Sequence, residues 1–280
     1  MRAYSLRRTS YWVFHYAMLA AFLAFALFPL FWLLKVSITP NDLLYSEGVR
    51  MWPSRTTLDH YVSVLQHTQF PLFFRNSVIV SGCTAVISTL IAAGAGYGFS
   101  RFQFRGKFWI VGIMLVTQMF PLVMIVAPIF RLLAPLGLTN SLTGLIIVYT
   151  AFNVPFASFL MQSFFDGIPK DLEEAAMIDG ATRFEALCKI ILPLTLPGLA
   201  ATIGFVFTAA WSELLFALML NSSNAASTFP VGLLAFVSKF SVDFGQMMAA
   251  GVLALIPVCG FFFLIQRYLV QGLTAGAVKG

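Results

Sequence analysis

Apolar residues run along this chain in long blocks, without the strict alternation of strands or the narrow stripe of amphipathic helices. An apolar helix needs about 20 residues to cross roughly 30 Å of hydrocarbon. Six blocks free of Lys and Arg reach that length, approximately Tyr11–Leu34, Ser77–Phe99, Phe108–Phe130, Leu142–Phe165, Leu199–Leu220 and Met247–Ile265. The pattern predicts an all-α, polytopic membrane protein with six transmembrane helices over 11–270, preceded by residues 1–10 and followed by a tail, 271–280. Pro121, Pro128, Pro155 and Pro257 interrupt their spans. Proline lacks the backbone donor a helix interior needs, so each marks a site where a span can break.

Three polar segments separate the blocks. Residues 35–74 contain Pro40, Pro53 and Pro71 and a short amphipathic helix in which Thr57 caps a face of Leu58, Tyr61, Val62 and Leu65. Residues 221–246 are rich in Ser and Asn, and residues 166–198 hold six of the eleven acidic side chains.

Composition and charge sharpen this picture. With 59% apolar residues and 10% charged, against roughly 25% charged in ordinary soluble domains, the chain cannot clothe a water-soluble surface. The net charge of +6 could indicate nucleic acid, but its placement argues otherwise. If the N-terminus is cytoplasmic, 11 basic residues lie inside (Arg2, Arg7, Arg8, Arg101, Arg105, Lys107, Lys170, Arg183, Lys189, Arg267, Lys279) and 6 outside. The positive-inside rule then places both termini in the cytoplasm and explains the surplus charge as orientation, leaving nucleic acid without support. Ala24-Phe25-Ala26 offers a signal-peptidase pattern, yet the apolar run continues to Leu34, which favours an uncleaved first span. Cys83, Cys188 and Cys259 are too scattered for a disulfide framework or a metal site.

The acidic segment reads as two short helices. Asp171 with Glu174 predicts one capping box, Gly180 a left-handed stop, and Thr182 with Glu185 a second capping box. Pro193 and Pro197 then end the second helix. Helices this short are marginal alone, so the elbow is expected to gain rigidity by docking, with Ala175 and Ala176 allowing close approach to a partner and Met177, Ile178 and Phe184 as apolar contacts.

The string Glu174-Ala175-Ala176, three residues, Gly180, nine residues, Ile190, one residue, Leu192-Pro193 resembles the EAA signature of permease subunits in bacterial ABC importers. Asn76-Ser77-Val78-Ile79-Val80, Tyr97-Gly98-Phe99-Ser100-Arg101-Phe102 and the tail Gln271–Gly280 are similar to the maltose-type carbohydrate importers, and the likeness spans essentially the whole chain. The resemblance implies a type I importer permease fold in the bacterial inner membrane. It implies four kinds of partner: the lipid bilayer, a second permease subunit forming a heterodimer, two ATP-binding subunits and an extracytoplasmic solute-binding protein. It further implies that residues Glu174 to Gly180 (including Asp179) and Phe184 seat in the ATPase, that Glu174 makes a charged contact there, and that the tail reaches between the ATPase subunits. The chain itself lacks a phosphate-binding loop: Gly106-Lys107 is followed by Phe108 and has no partner glycine upstream. No cofactor is therefore expected here, and ATP with Mg belongs to the partner ATPase.

Glu213 is the only acid within a predicted span. An ionised group there costs at least a few kcal/mol unless it faces protein or water, so it is expected to point into the bundle, about 21 Å along a continuous fifth helix. Gln118, Asn153, Trp211 and Glu213 are the candidate pathway residues, since amides and carboxylates bind hydroxyls and aromatic rings stack on sugar faces; Thr117, Tyr149, Thr150, Ser158 and Ser212 stand nearby in sequence. Interhelical hydrogen bonding is the alternative reading of Glu213 and Asn153, and the favoured one for the others. A secondary transporter coupled through Glu213 is the first alternative function, and a membrane enzyme the second, for which no nucleophile, base or metal constellation is visible.

Overall fold

The computed structural model describes the backbone of residues 2–238 and 241–277, and within it the side chains of 11–238, 241–266 and 268. The described residues are helical apart from turns and one bridge between Val237 and Val242. Among them, four continuous helices are long and apolar enough to cross a bilayer, and the number reaches six if each of two bent helix pairs is counted as one span.

The chain divides into two compact units. The first comprises Met1–Phe70 and Leu233–Leu255. It contains α1 (Arg2–Ser37), α2 (Asp59–Gln66) and the first turns of the last helix, α11 (Phe244–Ala277). Between Tyr11 and Leu30 the side chains of α1 are exposed. The loop after it is tied back by side chains: Ser37 Oγ lies 2.7 Å from Tyr61 Oη, and the buried His60 Nε2 lies 2.9 Å from Thr39 O. These contacts set the register of α2 differently from the sequence expectation. His60 and Val64 face inward, while Leu58, Val62 and Leu65 are exposed. Thr57 does accept the Asp59 amide at 3.0 Å, but the helix starts two residues after it.

The second unit comprises Pro71–Gly232 and Ile256–Gly280. It holds α3 (Phe70–Arg101), α4 (Lys107–Met119), α5 (Leu122–Leu133), α6 (Leu142–Asp166), α7 (Asp171–Ile178), α8 (Arg183–Ala186), α9 (Leu196–Trp211) and α10 (Leu215–Leu220). Two of the expected spans are not single helices. The third turns by 105° between Met119 and Leu122. Phe120 and Pro121 are both extended there, as the steric demand of proline on its predecessor dictates. Pro128 and Pro155, by contrast, sit inside unbroken helices. The fifth span ends its first helix at Trp211 and resumes at Leu215, so the continuous helix expected through Glu213 does not form.

The core of this unit gathers Leu145, Val148, Tyr149, Phe216, Ala217 and Leu220. Small residues bring helices close. A Cβ on Gly96 of α3 would lie 2.7 Å from the backbone N of Gln162 in α6, and one on Gly204 would meet the Ile265 side chain at 2.5 Å. The helical backbone of α11 reaches Ala277. The expected role of the tail 271–280 lies outside the described residues and side chains.

Candidate functional site

The elbow between α6 and α9 is built largely from local chemistry. Helix α7 starts at Asp171 with Lys170 as its flanking residue and no side-chain cap, so the expected Asp171–Glu174 capping box is not made. The Glu173 and Glu174 amides donate instead to Lys170 O, each at 3.0 Å, because Asp171 has already entered the helix and its backbone has turned away from the cap geometry. The end of α7 matches the expectation. Gly180 has φ +92°, its N–H donates to Met177 O at 3.1 Å, and the Ala181 N–H reaches back to Ala176 O at 3.0 Å. This is the paired bonding of a Schellman stop, which places a left-handed residue where glycine alone is unstrained.

Two residues later the second capping box closes. Thr182 Oγ1 accepts the Glu185 amide at 3.2 Å and Glu185 Oε2 accepts the Thr182 amide at 2.9 Å. That backbone bond and the Lys189 ammonium, 3.0 Å from Oε1, hold the Glu185 carboxyl down at a pKa of about 2. Pro193 does not terminate the helical path beyond α8. The chain passes through a π-turn, Leu187–Ile191, and continues helically to Leu194. A π-turn shifts the ladder to i→i+5 bonds, and the missing donor of Pro193 falls where the ladder is already interrupted. The break comes at Thr195, where the direction changes by 73° before Leu196-Pro197 opens α9.

The elbow presents Ile178 (85% exposed) and Phe184 (73%) outward, with Glu174, Ala175 and Asp179 also exposed and Met177 half-buried. Ala176 faces the other way. It is buried along with Ala186 and Ile191, so only Ala175 of the alanine pair is free to meet another molecule. Sequence reasoning passed over Glu173, which is the buried acid of the pair and bonds to Tyr97, Arg101 and Arg183. Its one local signal is the three-residue spacing to the buried Ala176, which puts both on the inner face of α7.

A cavity of about 260 Å³ lies elsewhere in the unit, among α4, α6 and the break between α9 and α10. Gln118, Asn153 and Glu213 line it together with Thr117 and Tyr149, against the rings of Phe120, Phe152 and Phe216. Gln118 Nε2 donates to Phe152 O at 3.2 Å and Asn153 Nδ2 to Tyr149 O at 2.8 Å, orienting both amides along α6. The Phe152 and Phe216 rings stack at 5.1 Å. Their contribution was not read from sequence, although Tyr149, Phe152 and Asn153 share one face at three- and four-residue spacing.

Trp211 does not join this group. It is 4% exposed and packs against Phe74, Phe207 and Phe229; residues two apart do not share a helix face, so its closeness to Glu213 in sequence does not bring the two side chains together. Ser212 is exposed and bonds back to Thr208 O, Ser158 bonds to Val154 O, and Thr150 lines a separate apolar groove. Among the described residues no group of His, Cys, Asp and Glu could hold a metal ion.

Comparison with known proteins places these features in a family. Residues 85–275 match the model for the binding-protein-dependent transport system inner membrane component. The chain is 36% identical to the trehalose transport system permease protein of Mycobacterium tuberculosis, covering 98% of this chain and 99% of that one. It is 37% identical to the trehalose/maltose transport system permease protein MalG of Thermococcus litoralis, over 91% and 92%. A similar match, 37% over 90% and 92%, is the diacetylchitobiose uptake system permease protein of Streptomyces coelicolor. Among solved structures, a chain of a bacterial ABC transporter importing the acidic polysaccharide alginate superposes with a TM-score of 0.76 at 25% identity, covering 92% of this chain and 95% of that chain. The MetNI methionine ABC transporter shares the fold at a TM-score of 0.58 and 16% identity, covering 80% and 100%. The chain belongs to the binding-protein-dependent transport system inner membrane component family, and is a multi-pass, type I-fold permease subunit of an ABC importer rather than an enzyme.

Proposed function

We propose that this permease forms half of the import pathway for a carbohydrate, a di- or oligosaccharide, polyol or related solute, and is driven by ATP hydrolysed with Mg on a separate pair of subunits. The relatives named for transport of trehalose, maltose and diacetylchitobiose support the solute class. The cavity supports it chemically: amides, a phenol and a carboxylate beside aromatic rings suit a polyhydroxylated solute with apolar ring faces.

The elbow carries the coupling part of this reading. Its two short helices are locked by a Schellman stop and a capping box while Ile178 and Phe184 stand uncovered. Rigid helices with bare apolar tips are what a cleft on an ATPase would grip, with Glu174 offering charge to a basic side chain there. A second permease, different from this one, completes the pathway, and an extracytoplasmic binding protein delivers the solute; a solved alginate transporter in complex with an oligosaccharide-bound periplasmic protein is a structural neighbour. In this reading the elbow and both termini are cytoplasmic.

The test is uptake of labelled trehalose, maltose or diacetylchitobiose by proteoliposomes holding the whole transporter and the solute-binding protein. Uptake is expected to need internal ATP and to survive an uncoupler while ATP is held constant. Uptake that tracks an ion gradient without ATP would sink the proposal.

A further inference from the structure

The buried acid of the elbow is Glu173, not the neighbouring Glu174 of the signature. Its side chain is 4% exposed, yet its two oxygens draw donors from distant α3 and from the neighbouring α8. Tyr97 Oη donates to Oε1 at 2.5 Å and Arg101 Nε to Oε2 at 3.2 Å, both from the last turns of α3. Arg183 Nη1, at the start of α8, reaches Oε1 at 3.4 Å.

Arg101 extends the tie. Its own side chain is 3% exposed, its Nη2 donates to Ile168 O at 3.0 Å just beyond α6, and its Nη1 donates to Ser100 Oγ at 3.2 Å. Ser100 in turn donates to Asp166 Oδ1, in the last residue of α6, at 2.5 Å. Two arms of this cluster differ in strength. The Tyr97 and Arg101 bonds are shielded from water, where charge-assisted hydrogen bonds gain from the low dielectric. The Arg183 arm is half-exposed and longer, with its guanidinium over the Phe102 ring at 5.2 Å, and is the weaker brace.

The chain itself joins the elbow only to α6 and α9, its sequence neighbours. Nothing covalent links it to α3, whose Tyr97 lies 76 residues from Glu173 in sequence. Without the side-chain tie, a pull on the elbow could turn at Gly167–Lys170 and at Thr195 and leave α3 where it was. We infer that Glu173 is a positioning residue for coupling, fastening the elbow to the adjoining ends of α3 and α6 so that the three move as one body. This rests on the proposed role of the elbow and assigns a division of labour within its acidic pair: Glu174 faces outward, and Glu173 transmits.

The experiment uses the whole reconstituted transporter carrying E173Q, Y97F or R183A. E173Q keeps the side-chain shape and removes the charge. Solute imported per ATP hydrolysed is expected to fall at least about fivefold in E173Q, the ratio that roughly 1 kcal/mol of lost coupling produces, and to change little in R183A. The ATP-binding subunits are expected to co-purify as in wild type. Amide exchange at 97–102 and 171–181 is expected to accelerate together in E173Q. A wild-type import ratio in an assembled E173Q complex overturns the inference. If E173Q does not assemble, Y97F, which removes a single donor, decides on the same ratio. If even the wild-type complex shows no ATP-driven uptake, the coupling proposal fails on its own, and exchange that rises in the elbow while 97–102 stays protected overturns the tie separately.

Discussion

The Tyr149 hydroxyl donates to the Glu213 carboxylate at 2.6 Å, joining α6 to the break between α9 and α10. Glu213 also accepts the Phe216 amide at 3.0 and 3.1 Å and the Ala217 amide at 3.3 Å. The acid therefore serves as the missing acceptor for a helix start that has no other side-chain cap.

This arrangement predicts that E213A is destabilising through orphaned donors. Leaving buried N–H and O–H groups unpaired costs about 1–3 kcal/mol, so thermal unfolding of the detergent-solubilised complex is expected to shift downward for E213A and by less for Y149F, while E213Q retains an acceptor and stays near wild type. An unshifted melt for E213A would remove the cap assignment.

The approach of α3 to α6 at Gly96 leaves no room for a side chain, since the nearest atoms to an added Cβ are backbone N and C of residues 162 and 161 and the Met161 Cβ. G96A is expected to lose about 1–3 kcal/mol by forcing these helices apart. The neighbouring glycines provide the control: Gly94 and Gly98 have open space at the same position, and alanine there is expected to be neutral or to gain a few tenths of a kcal/mol from helix propensity. Equal melting temperatures for all three variants would contradict the close approach.

At Gly180 the constraint is backbone conformation alone. Its φ is +92° and nothing lies within 4 Å of an added Cβ, so G180V pays only for the left-handed geometry, on the order of 1–2 kcal/mol. Asn tolerates that region better. ATP-driven uptake is therefore expected to fall in the order Gly, Asn, Ala, Val at this position with the subunit still in the membrane, whereas a steric origin would order the variants by volume.

The capping box makes a pH prediction. The Glu185 carboxyl is held down to about 2 from an ordinary value of 4.5. A depressed carboxyl stabilises the fold fully above its unfolded pKa and loses that contribution as pH falls toward the folded one. Protection of the Thr182 and Glu185 amides, corrected for intrinsic exchange, is thus expected to be constant from pH 8 to about 5 and to decline between about 4.5 and 2. E185Q should flatten that decline; a decline already present near pH 6 would point to a different group.

Trp211 and Gln118 separate packing from pathway. W211A removes a ring held by Phe74, Phe207 and Phe229 and is expected to cost about 3–5 kcal/mol. Q118A, at the cavity wall, is expected to leave the melt nearly unchanged while altering the KM for uptake. Normal melting of W211A would return it to the group of pathway residues.

The amino-acid sequence determined much of what depends on residues within a turn or two of each other, though not the Asp171–Glu174 box, which gave way when the helix began at Asp171 itself. The apolar blocks, the left-handed stop at Gly180, the Thr182–Glu185 box and the helix break before Pro121 all arise from local backbone sterics, local hydrogen bonding and hydropathy. Tertiary structure alone decided which of two adjacent acids is buried, because Glu173 finds Tyr97 and Arg101 more than 70 residues away. It also turned Trp211 into core, where Phe74 and Phe229 from elsewhere in the chain enclose its ring, and brought the Tyr149 hydroxyl, 64 residues away, onto Glu213. A side chain's partner across the fold is set by how helices pack and where they bend, and that information is distributed over the whole chain.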